Sequence, residues 1–197
     1  MLDQIRPAVV MLGLMTLLTG LAYPLTMTSV AQMTFPEKAT ASLIERDGHI
    51  VGSALVAQNF TKPYYAHPRP SAVDFDAASS GASNLGPTNT ELLKGYAERA
   101  AAYREANGVT LVPIDAITAS GSGLDPHISV QNANLQANRI AKARGVTVSD
   151  IRRVISEKVE GRWLGLFGEA HVNVLLLNLS LDAAFPVPSS NENTASR

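Results

Sequence analysis

The chain has 197 residues, enough for one soluble domain of ordinary size with a short appendage and too few for two large domains. A formal net charge of -1 provides no long-range field for a nucleic-acid backbone, and the lack of cysteine excludes disulfides, thiol catalysis and cysteine zinc sites. Apolar residues reach 46% and charged residues only 17%, and the apolar excess is concentrated at the N-terminus.

Residues 7–36 contain no Asp, Glu, Lys or Arg, and residues 8–25 are mostly Val, Met, Leu and Ala. About 20 residues of helix cross the hydrocarbon core of a bilayer, so residues 7–30 read as a transmembrane anchor. Arg6 and the terminal amine precede it, and the positive-inside tendency keeps that end in the cytoplasm and places residues 33–187 outside as an exported domain. Ser29, Val30 and Ala31 resemble a signal-peptidase site. The single-charge start and an apolar run longer than the usual ~7–15 residues of a signal core favour an uncleaved anchor.

After the anchor, residues 41–45 and 49–57 flank Asp47-Gly48, which predicts a hairpin. Residues 59–87 hold Pro63, Pro68, Pro70, Gly81, Gly86 and Pro87, and this density of breakers predicts a long loop. Phe60, Tyr64, Tyr65 and Phe75 predict that the loop is packed. Thr88 with Glu91 reads as a capping box for a helix through Leu92, Tyr96, Ala100 and Tyr103, stopped at Asn107-Gly108. A second helix starts near Ser129 and runs through Val130, Ala133, Ala137, Ile140 and Ala141 to Gly145, with Arg139, Lys142 and Arg144 near its negative end. A third starts at Thr147, buries Ile151, Val154, Ile155 and Val159, and ends at Gly161. Residues 171–181 carry Val and Leu on both alternating sets and read as a central strand buried on both faces. Residues 188–197 are too polar to order themselves. The predicted class is α+β: one N-terminal transmembrane helix, then a single exported domain with a mixed sheet and about three packed helices.

Residues 120–129 read S-G-S-G-L-D-P-H-I-S and put Ser122, Asp125 and His127 close in sequence, which invites an anchored periplasmic serine hydrolase using Ser122 or Ser120. Three such residues on one short loop do not readily face one another in triad order, and the G-x-S-x-G elbow is missing. A turn built by Gly121, Gly123 and Asp125-Pro126, followed by a Ser129 cap, explains the segment without chemistry, and a backbone anion nest is a further reading. Residues 78–89, A-S-S-G-A-S-N-L-G-P-T-N, form a second Gly- and Ser-rich stretch. Two such loops on one side would suit an exported solute-binding module. No phosphate-binding G-x-x-x-x-G-K-[ST] motif occurs, and His49, His67, His127 and His171 lack ligand spacing, so no metal site is predicted. Trp163, between Gly161 and Gly165, reads either as an exposed partner contact or, more commonly for an indole, as the cover of a core edge. One spanning helix encloses no pore.

Several landmarks together resemble a known family. They are Arg69-Pro70-Ser71-Ala72 after Tyr64 and Tyr65, Ser83-Asn84-Leu85-Gly86-Pro87 with Asn89, and T-A-S-G-S-G-L-D-P-H-I-S over residues 118–129. Gln136, Arg139, Ala141, Ala143, Arg144 and Gly145 continue the pattern, as do Val172-Asn173-Val174 and Leu177-Asn178-Leu179. From the anchor to Asp182 the chain is similar to the C subunit of the bacterial Kdp-type potassium-transporting P-type ATPase, departing at Ala82, where the family often has glycine.

The resemblance implies a single-pass inner-membrane subunit of a high-affinity, ATP-driven potassium uptake complex, without a catalytic site or cofactor of its own. Its partners would be a potassium channel-like subunit, an ATP-hydrolysing P-type pump subunit and a small helical subunit, besides membrane lipid. It also implies a catalytic chaperone that promotes ATP binding by the pump, with ATP shared between the two. Ser120, Gly121, Ser122, Gly123 and Gln136 are then the nucleotide-contact candidates, and Arg69, Ser71, Ser83, Asn84, Asp125 and His127 the partner-contact candidates. A domain outside the cytoplasm cannot touch cytoplasmic ATP, so on that topology the effect passes through the complex as conformational coupling.

Overall fold

In lipid a backbone must satisfy its own polar groups, and Ile5–Thr34 does so as one helix, α1, in the computed structural model, which describes residues 2–46 and 48–187. This helix is long and apolar enough to cross a membrane, and none of its residues is buried in the protein. Pro24, inside this helix, offers Gly20 no N–H and crowds that turn. The helix absorbs the defect as a π turn at Leu18–Ala22, where the Tyr23 N–H donates to the Leu18 carbonyl. The hydroxyls of Thr19, Thr26 and Ser29 each donate to the carbonyl four residues back, so none is left bare on an apolar surface. A single helical turn, Pro36–Ala39, and the strands β1, Leu43–Arg46, and β2, His49–Ser53, follow, and the two strands pair. Of the expected Asp47-Gly48 turn, Gly48 has φ 77°, and Asp47 lies outside the described residues, as does the expected disordered tail 188–197.

The chain divides into two compact units at Val51/Gly52, and the second holds the helices α2, Thr90–Asn107, α3, Val130–Arg144, α4, Val148–Glu157, and α5, Val174–Ala184. It also holds a three-stranded sheet of β3, His127–Ser129, β4, Val159–Glu160, and β5, His171–Asn173, in the order β3-β5-β4. The α+β class holds. The sheet, expected as mixed, is antiparallel in both pairs, with Ile128 and Val159 opposite Val172.

Ser129 and Gly145 bound α3 as expected: the Ser129 hydroxyl accepts the Asn132 N–H at 3.0 Å, and Gly145 is left-handed. Three boundaries differ. The cap of α2 is Asn89 rather than Thr88, because a turn from Gly86 to Asn89 holds Thr88 outside and the Asn89 side chain accepts the Glu91 N–H at 2.8 Å. Helix α4 stops at Glu157, and Val159 leaves it to pair with Val172 in β5, where a β-branched residue fits well. The run 171–181 is a strand only at β5, which is central in its sheet. Asn173 then caps α5 by accepting the Leu176 N–H, and the buried Val174, Leu177, Asn178 and Leu181 fall at helical spacing. The fourth helix of the unit comes from this segment.

Helix α3 packs against α2 and α4, and α4 against α5. Ala133, Ala137, Ile140 and Ala141 of α3, Ile151 and Ile155 of α4, Val172 of β5 and Leu177 and Leu181 of α5 form the core, with Ile128 of β3 and Ala66 of the long loop. The small residues of α3 let its neighbours approach closely.

Candidate functional site

Residues 54–89 contain no helix or strand, so their backbone groups need partners from elsewhere. Carboxamides supply them at two adjacent residues. Asn178 of α5 accepts the Ala66 N–H at 2.7 Å and donates to its carbonyl at 3.0 Å. Gln136 of α3 does the same for His67, at 2.8 Å and 3.1 Å. Arg139 donates to the carbonyls of Pro63 and Tyr65, and Arg144 to those of Tyr64, Leu181 and Phe185 and to the Asp182 carboxylate at 2.8 Å. The Arg144 side chain is only 1% exposed and lies over the Tyr64 and Tyr65 rings. Burial first, and then the Asp182 carboxylate, push the Tyr65 hydroxyl up to about 12, and that hydroxyl donates to Asp182.

With this strap in place, the two Gly- and Ser-rich stretches meet. The Gly81 N–H and the Ser80 hydroxyl donate to the Ser122 carbonyl, and the Ser120 N–H donates to the Pro70 carbonyl. Gly123 sits at φ +70°, where a Cβ would lie 2.9 Å from the Gly81 carbonyl and closer still to Val73. The Ser71 hydroxyl accepts the N–H groups of Val73 and Phe75. Ser122 Oγ lies 3.1 Å from Ser120 Oγ and accepts the Leu124 N–H, so the two serines serve the turn. Beside them Arg69 donates to Asp125 at 2.9 Å, and Asp125 in turn lies 3.3 Å from Nδ1 of His127 and accepts its backbone N–H. Burial alone would raise the Asp125 carboxyl, but hydrogen bonds from His127 and the Arg69 guanidinium outweigh it and hold the group at about 2.

The structure thus gathers Arg69, Ser71, Ser120, Gly121, Ser122, Gly123, Asp125 and His127 into one region of joined loops. Ser83 and Asn84 stand exposed on the second loop, Asn84 with φ 54°, and Ser83 borders a cleft of about 410 Å³ against Leu92 and Arg99. Gln136 belongs elsewhere. It is 1% exposed, and beyond its clamp on His67 it accepts from Arg139 and donates to Asn132, which fills all four of its hydrogen-bonding positions. Together with His67, Arg99, Tyr103 and Asn132 it borders a second cleft of about 270 Å³. Burial, and then the Arg139 charge, lower the His67 pKa, and its Nε2–H donates to the Lys62 carbonyl.

The small sheet and its hairpin add two features. His171 and Glu160 join His127 on the sheet, although nothing in their linear spacing indicates it; only strand register does. Trp163, expected at a core edge, is 69% exposed at the tip of the β4–β5 hairpin with Leu164, Leu166 and Phe167. Reciprocal backbone bonds between Trp163 and Phe167 close this tip on itself, which holds its side chains away from the core.

Residues 5–183 match the family of the K+-transporting ATPase, c chain. A protein of Cereibacter sphaeroides named potassium-transporting ATPase KdpC subunit is 54% identical over 184 residues, covering 93% of this chain and 99% of that protein. The Mycobacterium tuberculosis protein of the same name is 52% identical over 184 residues, 91% of this chain and 97% of its own.

Proposed function

Because the chain belongs to the family of the K+-transporting ATPase c chain, we propose that it is the single-pass accessory subunit of a potassium uptake complex and takes no chemical step of its own. The observation that carries this reading is the match over residues 5–183, which joins the apolar helix and the folded unit in one pattern. Arg6, in the first turn of α1, favours a cytoplasmic N-terminus and a folded unit on the outer side of the inner membrane. The partners are the potassium channel-like subunit, the ATP-hydrolysing pump subunit and the small helical subunit, with lipid around α1.

On this topology the chain promotes ATP binding by coupling to the pump's conformation and not by touching nucleotide. Two arrangements support that reading. Gln136 has no hydrogen-bonding position left for a ligand, and Ser120 and Ser122 are engaged with each other and with the turn. The surface open to partners is the joined-loop region around Arg69, Ser71, Asp125 and His127, with Ser83 and Asn84 on the adjoining loop. The test is purification of the tagged chain from membranes in mild detergent. The larger pump and channel-like subunits should accompany it, and recovery of this chain by itself overturns the proposal.

A further inference from the structure

The antiparallel register puts three metal-ligating side chains on one face of the small sheet. Glu160 of β4 is directly opposite His171 of β5. Ser129 of β3 is the residue opposite His171 on the other side, so His127, two residues before it, is the diagonal neighbour on the same face. One ligand atom from each of His127, Glu160 and His171 lies within 4.8 Å of the other two. His171 Nε2 and Glu160 Oε2 are 3.7 Å apart, close to the ~3.4 Å that separates ligand atoms around a tetrahedral ion with ~2.0–2.1 Å bonds. The side chains of His127, His171 and Glu160 are 35%, 36% and 51% exposed, which leaves them room to rotate toward a shared ion.

The imidazoles are also oriented for ligation. His171 Nδ1 lies 2.8 Å from the Glu169 carbonyl and His127 Nδ1 lies 3.3 Å from the Asp125 carboxylate. An N–H at each Nδ1 serves those oxygens and leaves both Nε2 lone pairs free, the arrangement that orients histidine ligands in metal sites. Asp125 is itself held by Arg69. An ion pair would account for His171 with Glu160. It gives no reason for a second imidazole placed edge-on to the first, with ring centroids 4.5 Å apart and planes at 78°.

We propose that His127, Glu160 and His171 form a three-ligand site for a borderline divalent transition-metal ion of the zinc class, joining β3, β4 and β5. Two imidazoles and one carboxylate suit such an ion, whereas hard cations such as potassium or magnesium prefer all-oxygen shells. The ion ties Glu160 to His171, the two ends of the hairpin segment carrying Trp163 and Phe167, and so fixes the base of that exposed apolar tip. The inference does not depend on the assembly role.

The test uses the full chain in mild detergent, purified without a histidine tag and stripped with a chelator. Titration with Co2+ should give a saturable visible absorption band at one ion per chain, abolished by stoichiometric Zn2+ and unaffected by excess Mg2+ or K+. Binding should shift the emission of Trp163, the chain's single tryptophan. His171→Gln and Glu160→Gln, each with an unchanged circular dichroism spectrum, should each weaken binding by about 100-fold or more, since loss of an outer-shell partner alone costs ~10–100-fold. Absence of saturable binding, or binding of wild-type strength in both variants, overturns the site.

Discussion

Asn178 offers the sharpest test of how this fold holds its long loop. Its carboxamide provides the partner for each polar backbone group of Ala66, at 2.7 Å and 3.0 Å, and both residues are essentially buried. In Asn178→Ala the Ala66 N–H and carbonyl stay buried without partners. Each such group costs about 1–3 kcal/mol, so the pair predicts a loss of about 2–6 kcal/mol before any cavity effect. For a folded unit of this size a kilocalorie corresponds to roughly 2–4 °C, which predicts a fall in Tm of at least about 4 °C. Asn178→Asp should not rescue it, because the acceptor for the Ala66 N–H remains while a second oxygen faces the Ala66 carbonyl. Calorimetry of the full chain in mild detergent measures the shift, with the exposed Ser156→Ala as the surface control, expected within about 0.5 kcal/mol of wild type. A transition in Asn178→Ala that coincides with the control would refute the clamp.

Four further outcomes follow from the same structure. Arg144→Ala removes a buried guanidinium from Asp182 and three carbonyls and should lower the midpoint of urea unfolding by an amount worth about 3–5 kcal/mol. His67 binds a proton less readily folded than unfolded, so the stability it contributes is present above the ordinary histidine value of about 6.5 and is lost as pH falls below it. Tm should therefore fall less on acidification in His67→Gln than in wild type. Gly123→Ala forces a Cβ against Val73 and the Gly81 carbonyl at a left-handed position and should cost about 1–3 kcal/mol, read as a lower Tm. Leu17→Arg should disfavour insertion of α1 by about 2.5–3.5 kcal/mol, and unchanged membrane retention would show that α1 is not the anchor.

What the sequence revealed depended on how local the signal was. Ser129 and Gly145 around α3, and Gly108 after α2, are local signals that bound the elements they were expected to bound, and the uncharged N-terminal run gives one helix that extends over Ile5–Thr34, beyond the expected 7–30. Residues 171–181 satisfy strand and helix patterns alike, and the choice falls to Asn173, whose side chain can cap a helix only once the chain has turned. Val159 shows the opposite limit: its helical spacing was correct, but a cross-strand partner, Val172, outweighed it.

The candidate site divides the same way. The two Gly- and Ser-rich loops were visible as motifs, and their contact through Ser122 and Gly81 was not, because it depends on the strap laid down by Asn178, Gln136, Arg139 and Arg144. Gln136 was visible as a family landmark, and its task in clamping His67 was not. Glu160 and His171 gave no warning, since register and not spacing brings them to His127.

The account turns on which side of the membrane the folded unit occupies. The chain has no cysteine, so a single Ser156→Cys on the exposed face of α4 gives an unambiguous reporter. In spheroplasts with an intact inner membrane, a membrane-impermeant maleimide should label this cysteine as fully as it does after lysis. Labelling that requires lysis would put the domain in the cytoplasm and contradict coupling from the outer side.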